Sequence, residues 1–109
     1  MTDNKWYELE ETENVVSPSL LVYPERIEKN IQLMINMAGG SHLLRPHIKT
    51  HKTAEIIKMQ LDHGIDKFKC ATIAEAELLA QCGASDILLA MQTVGVNIGR
   101  FVNLSLIHI

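Results

Sequence analysis

The stretch Arg45–Lys52, with the sequence RPHIKTHK, places five basic or imidazole side chains within eight residues of a chain whose net charge is −3. A lysine amine is a nucleophile only when it is neutral, and burial or nearby positive charge favours the neutral form. His47, His51 and Lys52 lie within three residues of Lys49. The pattern therefore indicates Lys49 as a nucleophile of the Schiff-base type. The alternative is a cluster of solvated cations at the end of a strand.

Other chemistry is less well supported at this stretch. His47 and His51 have the spacing of two metal ligands on a helix, but Pro46 and the apolar residues before it favour a strand, and no acidic or cysteine ligand lies nearby. We therefore predict no metal site. Neither GxxxxGK[ST] nor GxGxxG occurs, so a phosphate group would need a helix N-terminus such as that near Thr72. Gln92 follows a later apolar run and is predicted to lie at the same end of the fold as Lys49.

Apolar runs and helix-spaced patterns alternate along the chain. Four runs are predicted as strands: Leu20–Tyr23, Leu43–Lys49, Phe68–Ala71 and Ile87–Met91. Helices are predicted at 24–38, from Thr50 or Thr53 to Gly64, after Thr72 to Gly83, and near 97–107. Thr72 and Glu75 have the spacing of a capping box. Ile87–Met91 is apolar throughout and is predicted to be buried on both faces.

This alternation predicts an α/β fold with a parallel sheet. Lys49, Thr72 and Met91 each close an apolar run, 23 and 19 residues apart, which suits the repeating units of a (β/α)8 barrel. Since such a barrel needs roughly 200 residues, we predict a partial barrel of about the first three βα units. The alternative is a small open sheet with Ile87–Met91 at an exposed edge. The predicted organisation is a lead-in segment at 1–16, the barrel part at 17–104, and a truncated or foreign tail at 105–109.

Composition limits the possible partners and location. The chain is 47% hydrophobic and 21% charged, which is typical of a globular protein. Its acidity and its 5% aromatic content argue against nucleic-acid binding. Cys70 and Cys82 are expected to be free thiols in a reducing compartment. We expect no signal peptide and no membrane span, because no apolar run approaches about 20 residues. The expected location is the cytoplasm.

Four stretches, in order, resemble one enzyme family. Residues 44–53 (LRPHIKTHKT) resemble the R-P-H-x-K-T-H-K signature of the D-threonine aldolase and D-serine dehydratase group. Residues 17–22 resemble the opening strand of that family, residues 69–77 its second barrel strand and the start of the next helix, and residues 86–90 its third strand. The resemblance covers roughly residues 17–104 and identifies the chain as an N-terminal fragment of such a protein.

The resemblance implies an alanine racemase-like barrel of the fold type III class, with pyridoxal phosphate as cofactor. By this resemblance, Lys49 forms the Schiff base with pyridoxal phosphate, and His47 packs near the cofactor ring. Thr72 and Gln92 are further candidates for cofactor contact. The implied activity is that of a lyase that acts on D-amino acids, of the D-threonine aldolase or D-serine dehydratase type. The alternative is a pyridoxal phosphate carrier on the same barrel that catalyses nothing.

The resemblance also implies parts that lie outside this chain. The family's phosphate-binding loops belong to later barrel units, and a divalent metal, where one is used, is bound by a C-terminal domain. The full-length parent is expected to be a homodimer. The fragment by itself is expected to bind pyridoxal phosphate weakly and to be inactive.

Overall fold

Helices and strands alternate along most of the chain. The computed structural model describes residues 5–107. Within them, the elements are α1 (Pro24–Ala38), a 3-10 helix (Ser41–Leu43), α2 (Ala54–Asp62), β1 (Lys67–Cys70), α3 (Ile73–Cys82), β2 (Asp86–Leu89) and α4 (Val96–Ile107). The four predicted helices are confirmed, with α2 beginning after Thr53 and α4 beginning one residue early.

Local signals account for the ends of α1. Pro24 occupies the first turn, where the missing amide donor costs nothing. The helix ends at Gly39, whose φ of 91° lies in the left-handed region that glycine adopts without a steric penalty. The Gly39 amide donates to the carbonyl of Ile35 at 3.0 Å. Ile31 is the buried residue of α1, and Ile27, Met34 and Ile35 on the same helix also pack against the core.

The strand layer consists of β1, β2 and a short bridged segment at residues 46–48. β1 and β2 are parallel, with Lys67 paired to Asp86 and Cys70 to Leu89. On the other side of β1, His47 forms a parallel bridge with Lys69. The Ile48 amide donates to the Lys69 carbonyl at 3.0 Å. β1 therefore lies in the middle, and all three segments run in the same direction.

The two sides of this layer differ in burial. Ile48, Phe68 and Cys70 are fully buried on the helix-facing side, where they pack with Ile57 of α2 and Leu79 of α3. Burying side chains of this size stabilises the fold by about 1.5–3 kcal/mol each. The opposite side is formed by alternate residues of the same segments, which are half-buried or exposed and mostly charged: Arg45, His47, Lys67, Lys69, Asp86 and Leu88.

Three predictions about strands were wrong in whole or in part. Leu20–Tyr23 is not a strand; Leu20 is 81% exposed, and no described segment pairs with it. The predicted strand Leu43–Lys49 is confirmed only in part. Its first residue belongs to the 3-10 helix, and only His47 forms a β-bridge. β2 is not buried on both faces, because its residues alternate between exposed and half-buried. Each error concerns either the pairing of a strand with a neighbour or the burial of its faces by distant residues. A short apolar run specifies neither of these.

The segment before α1 contacts the start of that helix. Trp6 packs edge-on against Tyr23, with 5.0 Å between ring centroids, and the Arg26 guanidinium lies 3.3 Å over the Trp6 ring. The Tyr23 hydroxyl donates to the Tyr7 carbonyl at 2.7 Å. Aromatic and cation–π contacts therefore attach part of the lead-in to α1. None of the helices in residues 5–107 is long and apolar enough to cross a membrane.

Candidate active site

Lys49 lies in a tight turn between the bridged segment and α2. We call residues 48–53 the lysine turn. The carbonyl of Ile48 accepts from the amides of His51, at 3.3 Å, and Lys52, at 2.9 Å, which closes the turn. The side chain of Lys49 is exposed. Burial, which the sequence suggested as one cause of reactivity, therefore does not act on this amine.

Two histidines hold the lysine turn through the same local contact. His47 Nδ1 accepts from the Lys49 amide at 3.1 Å, and His51 Nδ1 accepts from the Thr53 amide at 3.0 Å. A ring nitrogen that accepts a hydrogen bond carries no proton, so the proton of each neutral ring is on Nε2. Burial lowers the pKa of His51, which favours this neutral form. Both rings therefore stabilise the backbone of the turn and present an N–H group at Nε2.

Lys52 has an unusual backbone conformation. Its φ is 49°, and among the described residues it is the only one other than glycine with positive φ. This conformation costs a residue with a Cβ on the order of 1 kcal/mol relative to glycine. The Lys52 ammonium lies 3.9 Å from the carboxylate of Glu75 in α3. The turn thus carries backbone strain at the residue whose side chain reaches the next helix.

Glu75 is a buried carboxylate in the first turn of α3, with 4% of its surface exposed. One oxygen accepts from the Thr72 hydroxyl at 2.7 Å, and the other accepts from the Ala71 amide at 3.3 Å. Burial acts to raise the pKa of Glu75, but these hydrogen bonds and the positive charge of Lys52 hold that pKa below its ordinary value. Glu75 is therefore ionised and faces the lysine turn.

The predicted capping box is confirmed, with one difference in its bonds. The Thr72 hydroxyl accepts from the Glu75 amide at 3.1 Å, as a capping residue does. The Glu75 side chain returns to the Ala71 amide rather than to that of Thr72. The first turn of α3 consequently already holds a negative charge. An anion at this helix N-terminus would have to compete with that carboxylate.

The structure brings His47, Lys49 and Thr72 to the carboxyl end of the strand layer. Gln92 is exposed in the loop after β2, at the same end, with β1 between it and the lysine turn. Arg45 is not part of this group, although it lies four residues before Lys49. It lies at the other end of the layer and forms paired hydrogen bonds to Asp86 at 2.7 and 2.8 Å.

Glu75 is the residue of this site that the sequence reasoning did not assign. The T-x-x-E spacing predicted its capping role but not its burial beside the lysine turn. No local sequence signal indicates this burial, because Glu75 and Lys52 are 23 residues apart in the chain. Within residues 5–107, no three His, Cys, Asp or Glu side chains are grouped to hold a metal ion. Burial and the nearby Glu75 raise the pKa of the Cys70 thiol to about 11, so it is not an available nucleophile.

Comparison with known proteins places these residues in a family. The chain belongs to the family described as "Alanine racemase, N-terminal domain", whose pattern matches residues 22–105. It is 34% identical over 82 residues to a D-threonine aldolase from Arthrobacter sp., covering 74% of this chain and 22% of that protein. It is 30% identical over 76 residues to a D-threo-3-hydroxyaspartate dehydratase from Delftia sp. (strain HT23), covering 69% of this chain and 20% of that protein.

The predicted family resemblance is confirmed by these matches. The chain spans about one fifth of the length of the two relatives. No solved structure matched it. The parallel strands agree with an α/β domain of this family, and the closed barrel stays a prediction.

Proposed function

We propose that this chain is the N-terminal part of a pyridoxal phosphate-dependent lyase that acts on D-amino acids, with Lys49 as the cofactor lysine. The observation that carries the proposal is the position of Lys49. It is an exposed amine at the carboxyl end of parallel strands, within the residues matched by the family pattern. In α/β folds, ligands bind at that end of the strands.

The residues of the site fit pyridoxal phosphate in two respects. The amine of Lys49 is accessible to an aldehyde, while hydrogen bonds to His47 and Ile48 hold the backbone around it. His47 lies two residues before Lys49, and its Nδ1 accepts from the Lys49 amide, so the imidazole ring lies beside the backbone of that lysine. Lys49 would hold the cofactor through its amine, and His47 would lie alongside it. The phosphate group is better suited to other parts of the protein, because Glu75 occupies the N-terminus of α3.

Each group of the site has a defined task. When bound, pyridoxal phosphate supplies an electron sink for negative charge that develops on the amino acid. Lys49 Nζ accepts or delivers a proton when its amine is free. His47 keeps its proton on Nε2, because the Lys49 amide donates to Nδ1. Thr72 and Gln92 are assigned weaker contacts from the same end of the layer.

The names of the two relatives suggest the substrate class. D-Threonine and D-threo-3-hydroxyaspartate are both D-amino acids with a hydroxyl group on the β-carbon. We therefore propose a D-3-hydroxy amino acid as the substrate. Aldol cleavage would break the Cα–Cβ bond and give glycine and an aldehyde. Dehydration would expel the hydroxyl group as water, and hydrolysis of the remaining enamine would give a keto acid and ammonia.

The test uses the full-length protein that contains this segment. Pyridoxal phosphate is added, borohydride reduces the linkage to a stable pyridoxyl-lysine, and peptide mapping by mass spectrometry locates it. We expect the label on Lys49 in the parent and in K58R, because Lys58 is exposed on α2 away from the turn. K49R should lose it.

Assays with D-threonine, D-serine and D-threo-3-hydroxyaspartate then distinguish the reactions by their products. Label on Lys52, or on no lysine, would contradict the role of Lys49. Label on Lys49 without turnover of any of these substrates would favour the carrier alternative over the lyase.

A further inference from the structure

The lysine turn and α3 are in contact through two residues, Lys52 and Glu75. We propose that Lys52 and Glu75 are positioning residues that hold the lysine turn against α3 and so fix the direction of Lys49. This inference rests on the proposed role of Lys49 as the cofactor lysine. It extends the proposed site by Lys52 and Glu75, which would act on the reaction only through the position of Lys49.

Glu75 supplies the fixed side of the contact. It is nearly fully buried. Its carboxylate accepts from the Thr72 hydroxyl and the Ala71 amide, and its own amide donates to the Thr72 hydroxyl. These bonds hold the carboxylate in one position on a rigid helix. A buried carboxylate also requires positive charge nearby. Lys52 is the cation within 4 Å of it among the described residues.

Lys52 supplies the adjustable side. Its side chain is 60% exposed and it spans the gap from the turn to Glu75. Its backbone has the φ of 49° that glycine or asparagine would adopt more readily. Backbone strain at a site is often maintained because the side chain performs a task there. Here the strained residue is the one that contacts the buried carboxylate, three residues after Lys49.

The backbone connects this contact to Lys49. The Lys52 amide donates to the Ile48 carbonyl, and Ile48 is fully buried beneath the strand layer. Lys49 is held from both sides, by Ile48 in the core and by the Lys52–Glu75 contact at α3. Loss of that contact should therefore loosen the turn without unfolding the core.

Three variants at Lys52 separate charge from strain in the full-length protein. K52R keeps both, K52M removes the charge and keeps the strain, and K52G removes both. E75Q removes the charge of the partner. The matched control is E77Q. It removes the charge of a partly exposed carboxylate on the same helix, which lies 3.5 Å from the guanidinium of Arg100.

The first measurement is hydrogen exchange at the Lys49 amide in the protein without added cofactor. We expect exchange to be roughly three- to tenfold faster in K52M, K52G and E75Q, and unchanged in K52R and E77Q. The second is the pyridoxal phosphate concentration that gives half-maximal borohydride-trapped label on Lys49. We expect it to rise by a similar factor in the same three variants.

K52G distinguishes positioning from a merely structural role. Relief of the strain should keep or raise its melting temperature even though the Lys49 amide exchanges faster. Unchanged exchange in K52M and E75Q would overturn the inference, as would an equal effect in E77Q. Absence of label on Lys49 in the parent would instead contradict the proposed function, and the exchange measurement would still decide whether the contact orders the turn.

Discussion

The two ends of the strand layer each carry an ion pair between side chains, but the two pairs differ in geometry and in burial. At the end where the strands begin, Arg45 and Asp86 form a forked pair with two short bonds, and both side chains are partly exposed. At the carboxyl end, Lys52 approaches Glu75 at 3.9 Å, with an exposed cation and a buried carboxylate. A planar guanidinium forms two parallel bonds to a carboxylate in one geometry, whereas an ammonium attracts a carboxylate as a point charge.

This difference agrees with the tasks that we propose for the two ends. The Arg45 guanidinium also donates to the carbonyls of Phe68 and Asp86, at 3.2 and 3.4 Å, so it joins three strand segments. It is a structural clamp. The carboxyl end keeps an exposed amine, that of Lys49, on a turn held by local bonds. One basic motif, RPHIKTHK, therefore contributes its first residue to a contact between strand segments and its later residues to the candidate site.

The largest expected effect tests the core that both ends share. Phe68 is fully buried in β1, between the two ends. Phe68→Ala should lower the free energy of unfolding by about 3–5 kcal/mol, because it leaves a cavity that the strands cannot fill. Urea denaturation measures this loss. Val94→Ala, at a residue that is 68% exposed, is the control and should change stability by less than about 0.5 kcal/mol. A small loss at Phe68 would mean that the two ends do not depend on one core.

The second prediction breaks the structural clamp alone. Arg45→Met should lower the melting temperature but leave borohydride-trapped label on Lys49 unchanged. The guanidinium beside Asp86 lowers the pKa of that carboxyl below its ordinary value of 3.8. The stability that the pair supplies is therefore complete above this value and is lost as the pH falls through the lowered pKa. The difference in melting temperature between parent and variant should be largest near neutral pH and should disappear in acid.

Two outcomes would contradict that separation of the ends. One is a loss of Lys49 labelling in Arg45→Met under conditions where the protein is folded. The other is additive behaviour of Arg45→Met and Asp86→Asn in a double-mutant cycle, because two residues that act through one pair should show a coupling energy.

The smallest expected effect concerns the capping residue at the carboxyl end. Thr72→Ala should cost about 1 kcal/mol, since it removes the cap of α3. It should also raise the pKa of Glu75, because the Thr72 hydroxyl is a donor to that carboxylate. Carboxyl carbon NMR during an acid titration measures the pKa. Thr72→Ser keeps the hydroxyl and should restore both properties. A Glu75 pKa that is equal in the parent and in Thr72→Ala would show that the hydroxyl does not stabilise the carboxylate.

Sequence reasoning succeeded where the signal is local. Pro24 and Gly39 mark the ends of α1, and Thr72 with Glu75 marks the start of α3, because each of these contacts lies within a few residues of its partner. The choice of Lys49 depended on the residue types around it and on the family resemblance of residues 44–53, and it stays a prediction. The strand at Leu20–Tyr23 failed, because a strand needs a neighbour that a four-residue run does not determine.

The parts of the site that escaped prediction depend on packing between distant segments. Arg45 was grouped with Lys49 because the two are close in sequence. The four residues of nearly extended chain from Arg45 to Lys49 span roughly 13 Å, so the two side chains lie at opposite ends of the strand layer. Glu75 was predicted as a cap, but its burial next to Lys52 follows from how α3 lies against the lysine turn, 23 residues away. The sequence therefore selected Lys49 as the proposed nucleophile but gave no indication of the contact between Lys52 and Glu75.

The structural clamp also has a kinetic consequence. Arg45 and Asp86 are 41 residues apart in the chain, so their bond closes only after the loop that contains α2, β1 and α3 has been ordered. Such a contact is expected to be largely absent from the folding transition state and present only in the native state. Its energy therefore acts mainly on the unfolding rate. The pair that joins the strand segments would determine how long the folded state persists rather than how fast it is reached.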